Sequence, residues 1–153
     1  MSNFLRNFFS CNNADGDRSH SPVAISFLDS GGIPIYTLGL TRDECDHFIL
    51  GGFIKAAQHF FQHFFQQNIC YFELDTYGVL LHRKDDFTAI YLFIGSRQSA
   101  EESLRNLVLR LIENPEVLEA LHITSTTGKS IDRVTQHMMD GMAVESLEVP
   151  IRH

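Results

Sequence analysis

The succession of β and helical patterns along this chain constrains its fold more than any single residue does. Residues 23–28 (VAISFL) and 33–40 (IPIYTLGL) read as two strands joined by Asp29-Ser-Gly-Gly32, residues that tolerate the positive φ of a hairpin turn. Pro34 has no N–H to give a ladder, which puts the second strand at a sheet edge or starts it after Pro34. A helical pattern follows over about 44–67, with Thr41 or Asp43 as its cap. Ile49, Phe53, Ala56, Ala57, Phe60, Phe61 and Phe64 share one arc of it, while Lys55, Gln58, His59, Gln62, His63 and Gln66 fill the other. Gly51-Gly52 is costly inside a helix and predicts a close approach of another element or a kink.

Residues 69–75 and 78–84 flank Thr76-Tyr77 and read as a second hairpin, and Asp85-Asp86 makes the next turn. Residues 87–94 (FTAIYLFI) show no polar alternation after Thr88, which predicts a central strand buried on both faces, with helices on both sides of the sheet. Ser99 with Glu102 has the form of a capping box, opening a helix whose buried stripe is Leu104, Leu107, Val108, Leu111 and Ile112. Asn114-Pro115 interrupts it, and Pro115 starts a short helix to about His122. Residues 124–128 read as a loop. Ser130 caps a last helix to about Val144 that carries Ile131, Val134, Met138 and Met142. The order is β-β-α-β-β-β-α-α, an α+β domain.

A chain of 153 residues forms one domain with room for a core. Residues 1–22 read as an apolar tag plus a flexible linker, and 23–153 as the domain. Hydrophobic content of 44% and charged content of 20% are those of a soluble globular protein. A net charge of −7 with three lysines argues against nucleic acid and against electrostatic attachment to anionic lipid. Cys11, Cys45 and Cys70 are odd in number and form no CxxC, so a reducing, cytoplasmic setting is expected, with Cys70 a small buried hydrophobe in its strand. No apolar run approaches the roughly 18 residues of a membrane span, and no signal-peptide pattern is present.

The motifs that carry chemistry have plainer readings. His59 and His63 stand at a spacing that lets two imidazoles share a metal, but no third ligand is fixed, and a solvated helix face accounts for them. Gly128-Lys129-Ser130 resembles the end of a phosphate-binding loop, yet Ile123 stands where that pattern needs Gly. No GxSxG occurs, and the acid pairs Asp85-Asp86 and Glu101-Glu102 fit a turn and a helix N-terminus. No catalytic residue, metal site or cofactor is expected. Phe4, Leu5, Phe8 and Phe9 fall on one helical face, suited to docking on the domain, to dimer packing or to insertion at a membrane surface. The stretch is similar to the N-terminal amphipathic helix of Arf-type GTPases, with Ser2 where myristoylation needs Gly.

From residue 23 to about 114, the paired strands VAISFLDSGGIPIYTL, the helix FILGGFIKAAQHFFQHFF and the run ICYFELDTYGVLLHRKDDFTAIYLFIGS resemble a longin domain, within the group that includes roadblock domains. The GIPIY strand leading into GGFIKAAQHFF is similar in particular to archaeal longin-like proteins. The resemblance implies a five-stranded antiparallel sheet with the long helix on one face and the C-terminal helices on the other. It also implies an adaptor that pairs with like domains through helix and strand edges and serves as a platform for small Ras-like GTPases.

The expected function is therefore a non-enzymatic interaction module in small-GTPase regulation or vesicle-type trafficking, working as a homo- or heterodimer. Its partner would be a small Ras-like GTPase or another longin or roadblock chain. Its contact surfaces would be the sheet edge at Ile35, Tyr36 and Leu38 and the helix side at Gln58, His59, Gln62 and His63. Two other readings stand beside it: a membrane-peripheral protein acting through Phe4, Leu5, Phe8 and Phe9, and a small-molecule binder at the Phe-lined helix–sheet interface.

Overall fold

The structure is a computed structural model that describes residues 19–40, 55, 56, 58, 59, 62, 63, 70–84 and 87–147. The cluster Phe4, Leu5, Phe8 and Phe9, the cysteines Cys11 and Cys45, and the Gly51-Gly52 pair lie outside these residues. Five strands form one antiparallel sheet: β1 (His20–Leu28), β2 (Pro34–Gly39), β3 (Tyr71–Glu73), β4 (Gly78–Lys84) and β5 (Phe87–Gly95). Their spatial order is β2-β1-β5-β4-β3. Three helices follow, α1 (Arg97–Ile112), α2 (Pro115–Thr127) and α3 (Arg133–Ser146). Lys55, Ala56, Gln58, His59, Gln62 and His63 are also helical. The chain is thus an α+β domain with an open sheet.

Side-chain alternation places two cores on the two faces of the sheet. Phe87, Ala89, Tyr91 and Phe93 of β5 join Ile25, Phe27 and Tyr36 on the face covered by α1, α2 and α3. Ile90 and Leu92 point the other way, into a second cluster with Val23, Ala24, Leu28, Val79 and Leu81. The strand 87–94 is therefore central and buried on both faces as far as Phe93, as its unbroken apolar run predicts. Pro34 does fall on an edge strand. At the β1–β2 turn, the Asp29 carboxylate accepts from the N–H groups of Gly31 at 2.8 Å and Ile33 at 2.9 Å, and Gly32 takes a φ of 85°.

Several boundaries differ from the sequence reading. Ser96, not Ser99, caps α1, and its hydroxyl accepts from the Ser99 N–H at 3.3 Å. The reason is that β5 runs to Gly95, so the helix starts at once and Ser99 falls in its first turn. Residues 124–127 are helix rather than loop, and within it the Thr126 and Thr127 hydroxyls donate to the carbonyls of His122 (2.9 Å) and Ile123 (2.6 Å). Gly128 ends α2 as its C-cap at a φ of 73°. Asp132, not Ser130, caps α3, accepting from the Thr135 N–H at 2.7 Å, and these bonds hold its carboxyl below the usual range. That start turns Met139, Ala143 and Leu147 inward and leaves Val134 73% exposed. Ile112, 43% exposed, likewise lies off the buried stripe of α1. β3 is only three residues long, and Cys70 precedes it and is exposed rather than buried.

Candidate functional site

The β4 side of the sheet carries two clefts. The first, about 370 Å³, opens between β4 and α1. Its apolar lining comes from Leu80 on β4 and from Leu104 and Val108 on α1, which also belong to the core beneath. Leu109, 50% exposed, and Ile112 extend that apolar surface outward. The lining residues of α1 recur at one helical face: Arg97, Glu101, Arg105 and Leu109 are each four apart.

The polar members of this cleft are held in defined positions. The guanidinium of Arg97 lies 4.0 Å from the centre of the Tyr71 ring, a cation–π contact. Its Nε donates to Glu101 Oε1 at 2.7 Å. Arg105 is exposed on the same face, and Lys84 lines the cleft from the end of β4. His82 stands beside Lys84, and partial burial together with the Lys84 ammonium lowers its pKa below the ordinary imidazole value.

The second cleft, about 270 Å³, is lined by the helical residues Lys55, Gln58, His59 and Gln62 together with Arg83. Cys70 and Leu81 line both clefts, but Leu80 belongs to the core under α1 and Leu81 to the cluster on the other side, so the two clefts open on opposite faces of the sheet. Gln58, His59 and Gln62 thus come together at one concave surface. His63 is exposed on the same helical stretch but does not line it.

The other predicted contact surface is less exposed than its place at the sheet edge suggests. Tyr36 is 4% exposed and faces the core, stacking on Phe27. Its hydroxyl donates to Asp140 Oδ1 of α3 at 2.6 Å. Tyr36 is therefore a packing residue rather than a surface contact, because a phenol on this face of β2 reaches α3. Ile35 and Leu38 are half-buried against the same core.

The sequence reading missed Arg83, Lys84, Arg97 and Arg105. The His82-Arg-Lys84 run and the four-residue spacing on α1 were the available signals, but nothing in the sequence showed that β4 and α1 lie side by side.

A polar cluster elsewhere joins β1 to α1. His20 Nδ1 lies 2.8 Å from Ser99 Oγ and its Nε2 lies 2.6 Å from the Tyr91 hydroxyl. The ring meets Tyr91 and Phe93 edge-on. Neither cleft is lined by these residues, and the arrangement acts as a clamp between β1, β5 and α1. Among the described residues, no group of three or more His, Cys, Asp or Glu side chains is placed to hold a metal ion. No helix of the described residues is long and apolar enough to cross a membrane. No protein-family model matches the chain, and no curated protein matches it.

Proposed function

We propose that this chain is a longin-like interaction module that works without catalysis, as an adaptor or platform in small Ras-like GTPase regulation or vesicle-type trafficking. In this reading it pairs with a second longin or roadblock chain, or with its own copy. The α+β architecture supports it, since a five-stranded antiparallel sheet is one part of what the resemblance implies. The observation that carries it is the first cleft, where Leu109 and Ile112 stand exposed beside the polar side chains of Arg97, Glu101 and Arg105. An apolar centre with a polar rim is the anatomy of a protein–protein contact.

Light-scattering mass of the full chain over a range of concentrations tests the pairing, and pull-down with a purified Ras-like GTPase in each nucleotide state tests the platform role. Charge substitutions at Ile35, Leu38, Gln58, His59, Gln62 and His63 should weaken one or both. A monomer at every concentration that also ignores the GTPase would end this reading, as would wild-type behaviour in all the variants.

A further inference from the structure

We propose that the second cleft binds the phosphate group of a small soluble phosphate ester. This goes beyond the interaction-module reading and does not depend on it. The site is built from one helical face and one strand. Lys55, Gln58, His59 and Gln62 stand at i, i+3, i+4 and i+7, which places them on one side of a helix. Leu81 and Arg83 alternate with His82 on β4 and share the sheet face away from α1. Both cations of this cleft therefore lie on one side of the sheet.

Two observations point to an anion. The described lining is Lys55, Arg83, His59, the amides of Gln58 and Gln62, Cys70 and Leu81, with no carboxylate among these residues. Among the described residues, no ion pair engages Lys55 or Arg83. Like charges on facing elements repel, and an anion between them removes that cost. The chemistry of the donors selects phosphate. Arg83 offers a planar fork of N–H groups that matches phosphate oxygens, and Lys55 supplies a point charge. The two amides add donors, and their carbonyls can accept from a ligand hydroxyl. Volume sets the size. About 270 Å³ lies below the roughly 300–1,000 Å³ of pockets for drug-sized ligands, so a phosphate on a body of a few carbons fits and a dinucleotide does not.

The probe is glycerol phosphate, titrated into the isotope-labelled full chain at constant ionic strength, with acetate and chloride as comparison anions. The NMR signals of Lys55, Gln58, His59, Gln62 and Arg83 should shift saturably with the ester and less with either comparison anion. Lys55→Gln and Arg83→Gln should each weaken binding about tenfold, since each removes a charge-assisted hydrogen bond. Arg83 is exposed and Lys55 half-buried, so both variants should keep the native melting temperature. Should Lys55→Gln lower it, Arg83→Gln alone decides. Arg133→Gln, exposed and outside both clefts, should leave the affinity unchanged.

No saturable shift, equal shifts with acetate, or full affinity in Arg83→Gln would overturn the proposal. So would binding to phosphatidic acid vesicles without binding of the soluble ester, since that assigns the cations to a lipid surface. A chain that binds the ester but neither dimerises nor binds the GTPase sinks only the interaction-module reading.

Discussion

The Tyr36 hydroxyl shows how one side chain ties an edge strand into the molecule. It donates to Asp140 across the β2–α3 contact while its ring stacks on Phe27 at a centroid distance of 5.5 Å. A hydrogen bond to a charged acceptor is worth about 1.5–3 kcal/mol, so Tyr36→Phe should lower unfolding free energy by about 1–2 kcal/mol for this partly exposed pair. Burial first, and Asp140 second, raise the phenol pKa far above its ordinary value of 10.0. The sign follows from linkage: the unfolded chain releases the proton near that ordinary value and the folded chain does not. This contribution is complete below pH 10.0 and declines as pH rises beyond it. Urea titrations at rising alkaline pH should show that slope in the wild type and a shallower one in Tyr36→Phe. Gly78 is a second such position. A Cβ there would stand 2.4 Å from the ring of Phe93, which is buried and cannot swing away. Gly78→Ala should therefore cost about 1–3 kcal/mol by overpacking, read as a lower denaturation midpoint at unchanged slope.

At the scale of the element, α1 carries both a core stripe and a cleft face, and its start is set by the strand before it. Ser96→Ala removes the cap and should cost about 1 kcal/mol. Ser99→Ala leaves that cap's carbonyl bonds in place but takes a partner from His20. Urea unfolding followed by circular dichroism should show both losses, and the two should be nearly additive if cap and clamp are independent. A strongly sub-additive pair would mean that the His20 clamp works by holding the helix start. The same element shows what the sequence could say. Residues 78–84 and the buried strand at 87–94 were legible because strand alternation and an unbroken apolar run are local signals. The pairing of Arg97 with Arg105 along one helical face was also written in the sequence, but its meaning depended on β4 lying opposite. Ser96, Ser99, Ser130 and Asp132 are all competent caps. The choice among them is made where the preceding strand or loop ends, which is a tertiary fact. Thr126 and Thr127 read as loop because their hydroxyls compete with the backbone in most contexts, whereas here they bond within the helix. Cys70 read as buried because the strand was drawn too long.

At the scale of the whole molecule, β5 belongs to two cores at once, and this determines how damage should spread. Leu107 of α1 packs in the core on one face and Ile90 lies in the separate cluster on the other. Leu107→Ala should cost about 2–5 kcal/mol and Ile90→Val about 0.5–1.5 kcal/mol. The clusters share no members, so the double variant should show the sum of the two within about 0.5 kcal/mol. The faces nonetheless share one sheet whose middle strand is common to both. Neither face should then melt before the other, and each variant should unfold in a single transition by circular dichroism and by tyrosine fluorescence. Tyr91 and Tyr36 report the helical face, and Tyr77 packs against the opposite cluster. Two separated transitions would mean that the cores on the two sides of β5 are independent folding units, joined only by the strand between them.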